Sequence, residues 1–302
     1  MAPPTYQIGS WLVGGDGGIT DAANIIWRVN PQGTTGIFDS ADNRLNQTVF
    51  NEYDGAQRSR NYDNALPITI AGTAQGVDFA SVAAARRAFV GMLAGGGQKT
   101  LTVTDVDGAV LTITVEKNGK QQVTPQSQGC DFDWQLNCIA ADPRKYLPDQ
   151  SASIGLPSSS GGLNWSAGGG LNWSSGGGLD WGIAGSNGLI QLTNTGTAEA
   201  WPEFQFFAPT DGSTLVNPTA VNQLTGETLK FVDTLIQGDI VDIKSSIYER
   251  SVTKNGVPYR RNLQVAQWFS IAPGETMTVQ FQGTGTSSTS LMTATLSPAV
   301  YA

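Results

Sequence analysis

Few residue groupings in this 302-residue chain have the types and spacing for chemistry, and none contains histidine, because the chain has none. That removes Ser-His-Asp and Cys-His nucleophile systems and the commonest transition-metal ligand. The two cysteines, Cys130 and Cys138, are too few for an all-cysteine zinc site. Eight positions apart on a continuous predicted strand, they also lie too far from each other to bond. Both are read as free, buried thiols of a chain made in a reducing cytoplasm. Asp131 and Asp133 stand two apart on the same predicted strand and so share a face. Two acids on one face could serve a glycosidase or a cation site. The plainer reading, which is preferred, is a solvent-facing polar row opposite Phe132, Trp134 and Leu136. Asp105 and Asp107 flank a hairpin turn, where turn geometry alone favours Asp. Gly14-Gly15-Asp16-Gly17-Gly18 is not followed by a helix, and no Gly-rich segment ends in Gly-Lys-Ser/Thr, so neither a dinucleotide fingerprint nor a phosphate loop is present. The expectation is a chain that is not an enzyme and takes no cofactor or metal.

Two groupings point to contacts instead of catalysis. Gly162-Leu163-Asn164-Trp165, Gly170-Leu171-Asn172-Trp173 and Gly178-Leu179-Asp180-Trp181 recur every eight residues and hold three of the eight Trp. The indoles could stack on sugars or pin a connector to a domain surface. The second reading is preferred, because regular spacing with small residues between suits docking along a groove or strand edge. Leu163, Trp165, Leu171, Trp173, Leu179 and Trp181 are then the connector's anchors. Arg86-Arg87 reads as a solvated helix face or as a contact with a neighbouring subunit, since Arg is enriched at interfaces; the sequence does not choose between them.

Composition narrows the partners. Charged residues are 14%, against about a quarter in ordinary globular domains, and Lys plus Arg total 17 against 25 Asp plus Glu, a net charge of −8. An acidic surface repels phosphate backbones, so no specific nucleic-acid partner is expected. The N-terminus, Met1-Ala2-Pro3-Pro4-Thr5, has no basic or apolar leader region. No apolar run approaches the ~20 residues that span a membrane, so no membrane partner is expected either.

The elements that must carry these residues are mostly strands. Residues 5–75 read as short strands and loops, among them Ile25–Val29 and Leu66–Gly72, which Pro67 confines to an edge or a strand start. One strong helix follows Asp78 as N-cap, running from Phe79 to Leu93 and stopped by Gly95-Gly96-Gly97. Its apolar face holds Phe79, Val82, Phe89 and Leu93, with Val90 beside them. Lys99–Thr104 and Val110–Val115 form a hairpin about Asp107-Gly108. A strand runs from Phe132 to Ala140. Beyond Leu189 short strands recur at Leu189–Leu192, Pro202–Phe206, Thr228–Phe231, Asp239–Ile243, Trp268-Phe269, Met277–Phe281 and Ser290–Leu296, which argues for a sandwich. The predicted organisation is mainly β. An N-terminal β-rich domain with one α-helix and a β-hairpin spans 1–150, a Gly/Ser/Trp-rich connector 151–187, and a C-terminal β-sandwich 188–302.

Several local phrases carry a resemblance. Ala140-Ala141-Asp142-Pro143-Arg144-Lys145-Tyr146 closes the first half, and Asn194-Thr195-Gly196-Thr197-Ala198-Glu199-Ala200-Trp201-Pro202 opens the second about fifty residues later. Trp268-Phe269-Ser270-Ile271-Ala272-Pro273-Gly274-Glu275 follows near the end. In this order they resemble the distal tail protein family of long-tailed siphophages, and the Leu-Asn-Trp repeat is similar to inserts in tail proteins of phages that infect actinobacteria. The resemblance implies a virion protein of the tail tip, made in the host cytoplasm. It implies a homo-hexamer whose N-terminal domains form a ring on the tail tube protein, with a tail-associated hub protein on the opposite side. The C-terminal sandwich is implied to be galectin-like, pointing outward and holding a receptor-binding protein or a host surface glycan. The alternative is a carbohydrate-binding adhesin acting through that sandwich.

Overall fold

Alternation of apolar and polar residues builds the centre of the molecule's first sheet. In the strand Asp131–Ala140 every second residue is buried, from Phe132 through Trp134, Leu136 and Cys138 to Ala140. The computed structural model describes residues 3–15, 17–44, 47–50, 53–54, 56–58, 62–126, 130–158, 186–285 and 289–301. The chain divides into two units, Met1–Pro148 with Ala299–Ala302, and Asp149–Pro298.

In the first unit Asp131–Ala140 pairs antiparallel along its whole length with Leu66–Gln75, which in turn pairs with Ile26–Thr35. Pro67 is the second residue of its strand, at a strand start inside the sheet. Gly72 sits where three elements converge. A Cβ there would lie 1.9 Å from the Arg28 carbonyl oxygen and 2.6 Å from the Trp134 ring, so only glycine lets the strands close. The eleven-stranded sheet continues through Trp11–Gly14, Thr5–Ile8 and the hairpin of Lys99–Thr104 with Val110–Lys117. Asp105 accepts from the Val106 N–H at 2.7 Å and Asp107 from the Ala109 N–H at 2.8 Å, so both acids serve the turn.

The helix runs Phe79–Gly91, with the Asp78 carboxylate accepting from the N–H groups of Ala80 and Ser81. Val82 and Phe89 are buried, as is Leu93 just beyond it. Phe79 and Val90, expected on this face, are 75% and 46% exposed. At 100° per residue they fall roughly 60° and 80° round from the Val82–Phe89–Leu93 line, on the flank of the stripe. Phe89 meets Trp11, Trp27 and Trp134 at ring separations of 5.8, 5.9 and 5.5 Å, an aromatic cluster that fixes the helix on the sheet.

The second unit contains two six-stranded sheets, all antiparallel. One runs in the order Gln150–Gly155, Leu291–Leu296, Glu203–Phe207, Ile240–Lys244, Ser251–Lys254, Val257–Pro258. The other runs Leu189–Thr193, Thr276–Thr284, Leu215–Asn222, Thr228–Phe231, Leu263–Ala266, with Thr234–Leu235 also on Leu215–Asn222. Phe206 of the first sheet stacks on Phe281 of the second at 5.7 Å. Their apolar faces meet as in a sandwich. The predicted strand at Trp268-Phe269 is absent. The ladder ends at Ala266, and Phe269 instead plugs the core against Phe204 at 5.6 Å.

Candidate functional site

The paired acids Asp131 and Asp133 do not make a catalytic centre. Both are half-buried, flanked on their two sides by Gln122–Pro125 and Leu66–Gln75, so the open polar row expected of them is partly covered. Asp133 accepts from Gln126 Nε2 at 2.5 Å, and Asp131 Oδ1 is buried with no partner among the described residues. Among those residues no cluster of three His, Cys, Asp or Glu could hold a metal ion. Both cysteines are free, but only Cys138 is buried; Cys130 precedes the strand and is partly exposed. Burial pushes the Cys138 thiol up to about 12, which makes it inert.

The phrase Asp142-Pro143-Arg144-Lys145-Tyr146 folds into a buried network. Arg144 Nε donates to Asp142 Oδ1 at 2.8 Å and Nη2 to Oδ2 at 2.7 Å, a two-pronged pair, and the Tyr146 hydroxyl donates to the same Oδ2. Lys145 is 1% exposed, its ammonium 3.4 Å from the Asp39 carbonyl; burial holds its pKa down, with Asp39 opposing. Asn194 plays the equivalent part in the second unit. Its amide donates to the carbonyls of Ala198 and Ile271 and accepts from the Gly196 N–H, tying the start of the phrase to its later partner. Sequence reading marked both phrases without showing that their polar atoms are clamps.

Two surfaces remain for contacts. On the helix, Arg87 is exposed and Arg86 half-exposed; neither forms an ion pair among the described residues, and Phe79 and Val77 stand open nearby. On the sandwich, a groove of about 270 Å³ is lined by Glu203, Gln205, Asp242, Lys244, Thr253 and Thr293, among others. Gln205 donates to Asp242 at 2.5 Å, and Lys244 bridges Glu203 and Glu249 at 3.8 and 3.2 Å. Burial raises the Glu203 pKa while Lys244 opposes it, and Glu203 in turn raises that of Lys244. The connector anchors Leu163, Trp165, Leu171, Trp173, Leu179 and Trp181 lie outside the described residues.

Residues 195–294 match the family model described as the siphovirus-type tail component, C-terminal domain. A comparison with curated protein sequences gives no match. The fold is similar to the crystal structure of the SPP1 Dit (gp 19.1) protein, described as a paradigm of hub adsorption apparatus in Gram-positive infecting phages. That likeness has a TM-score of 0.60 at 12% identity and covers 98% of each chain. The phage P2 baseplate in its activated conformation with Ca gives 0.47 at 10%, and that with Sr 0.46 at 10%, each over 97% of both chains. At 12% identity the first likeness establishes the fold alone, which is mainly β.

Proposed function

We propose that this chain, a structural and non-enzymatic component of a phage tail, forms a hexameric ring at the tail tip that joins the tail tube to the tip hub and receptor-binding apparatus. The observation that carries the reading is the likeness over 98% of both chains to a protein described as a hub paradigm. The helix supports it locally, because Phe79, Val77 and Arg87 are an apolar and cationic combination of the kind that subunit contacts bury. In this reading the tail tube protein and the tail-associated hub protein are neighbours of the first unit, and the sandwich takes a receptor-binding protein. The excess of 25 acids over 17 bases suits a channel that DNA must pass without sticking.

Negative-stain images and mass measurement of the purified chain, alone and with the tail tube protein, test this. A six-chain ring is expected, dispersed by Phe79→Asp with Arg86→Glu and Arg87→Glu at unchanged melting temperature. A strict monomer under both conditions would overturn it. The proposal keeps the six anchors of 151–187, a segment that starts in the strand Gln150–Gly155 and so lies within the second unit and not between the two; replacing Trp165, Trp173 and Trp181 by Ala should lower the melting temperature of that unit. An actinobacterial host belongs to the same proposal and is tested by host-range plating.

The sandwich groove favours a second reading, a carbohydrate-binding adhesin, because its carboxylates, amide and hydroxyls match the donors and acceptors of a sugar. Glycan-array binding lost in Gln205→Ala and Asp242→Asn would support that reading.

A further inference from the structure

The second unit carries eleven Asp and Glu against six Lys and Arg, yet all three of its arginines gather about two aromatic rings. The Arg250 and Arg260 guanidinium carbons lie 5.2 and 5.5 Å from the Trp268 ring centre, and that of Arg261 lies 5.0 Å from the ring of Tyr259. Two of the three are held by the backbone as well. Arg250 Nε donates to the Ser245 carbonyl at 3.4 Å and Arg260 Nη1 to that of Leu263 at 3.2 Å. None of the three has a carboxylate partner among the described residues. Glu249, the acid beside Arg250, is engaged elsewhere, with Lys244 at 3.2 Å. By contrast Lys254 is matched twice, by Asp233 and Asp239, both at 3.0 Å.

Stacking on Trp268 explains how two guanidiniums are oriented. It does not explain why three like charges stand together, uncompensated, on a unit with acids to spare. Guanidiniums fixed in place with free N–H donors fit planar oxyanions two-pronged, with little ordering left to do on binding. The surroundings select the carrier of those oxyanions. Ile247, Tyr248 and Val257 are 52%, 49% and 60% exposed on the two segments that bring the arginines in. Trp, Tyr and Arg among open apolar side chains is the composition of a protein contact centre, where apolar neighbours keep water from the ion pairs. Trp268 is half-buried and already carries two guanidiniums, which leaves little ring for a sugar.

We infer that Arg250, Arg260, Arg261 and Trp268 form a docking site for an acidic segment of another protein, its carboxylates on the guanidiniums and its apolar side chains on Ile247, Tyr248 and Val257. The site belongs to the second unit alone and goes beyond the ring reading. A chain that stayed monomeric would still bind, so the failure of either idea leaves the other standing.

The test uses the full chain and a fluorescein-labelled decapeptide of Glu alternating with Leu and Tyr, followed by anisotropy. Binding is expected to weaken with salt, and to weaken about tenfold or more in Arg250→Gln/Arg260→Gln. Lys230→Gln should leave it unchanged, and a peptide with Gln in place of Glu should not bind. No binding at millimolar peptide, equal binding by the double variant, or binding by the wild type that salt does not weaken would overturn the site. Polyglycerol phosphate binding tighter than the peptide with the same arginine dependence would overturn its assignment to a protein partner.

Discussion

Asp142 and Arg144 stand two residues apart and neutralise each other inside the first unit, where the Arg144 side chain is 4% exposed. Removing one charge of a buried pair strands the other, which costs more than the pair itself contributes. Asp142→Asn should therefore lower the stability of the first unit by about 3 kcal/mol, read from urea unfolding. Cys138 makes a prediction in pH. Its folded pKa of about 12 lies above the ordinary 9.0, so the folded state keeps the neutral thiol. Its contribution is intact below pH 9.0 and is lost as pH climbs toward 12, because the unfolded chain ionises first. Tyr6, raised mainly by burial, adds in the same direction. Melting temperature should fall through this window, less steeply in Cys138→Ala. Little of this was legible in the sequence: Asp, Arg and Lys are read as exposed unless something shows their partners, Lys145 reaches the Asp39 carbonyl only in the folded sheet, and nothing in the sequence shows that Arg144 turns back onto Asp142. Arg86 and Arg87 were readable as residues of the one helix, where Arg87 is exposed and Arg86 half-exposed. The Trp268 cluster was not, since its arginines arrive from two segments seven or more positions away in sequence.

At the scale of elements, strands that alternate cleanly were the readable ones, such as Asp131–Ala140 and the hairpin at Asp107-Gly108. Leu215–Asn222 was missed because Pro218 and the left-handed Asn217 (φ +53°) break its pattern at a bulge between Val216 and Thr219. The hairpin Ser251–Lys254 with Val257–Pro258 carried its own signal. Asn255-Gly256 takes positive φ at both positions, 51° and 76°, as a tight hairpin turn requires. Gly72 offers a sharp test of how closely the first sheet is assembled. Since an added methyl would meet backbone 1.9 Å away, Gly72→Ala should cost about 2–3 kcal/mol and disturb the Trp134 environment, seen in near-ultraviolet circular dichroism. An exposed glycine such as Gly91, with open space at its Cβ, should tolerate the same change.

At the scale of the whole molecule, the second unit is an insertion in the first. The chain leaves after Pro148 and returns at Ala299, where Ala299 and Val300 pair with Tyr146 and Lys145. Within the second unit Gln150 pairs with Leu296, so its two ends sit side by side. Residues 149–298 expressed alone should fold and melt in one cooperative step; a fragment lacking amide dispersion would show that the unit depends on the rest. The division into a β-rich first half and a later sandwich could be read from strand spacing, whereas the return of the last residues could not, because two paired residues leave no periodicity. That return sets the order in which the protein can be completed during synthesis. The ribosome must translate the entire sandwich before it delivers Ala299 and Val300. A chain that stops early therefore carries a first unit with Lys145–Tyr146 unpaired on that side, an open edge available to proteases and chaperones.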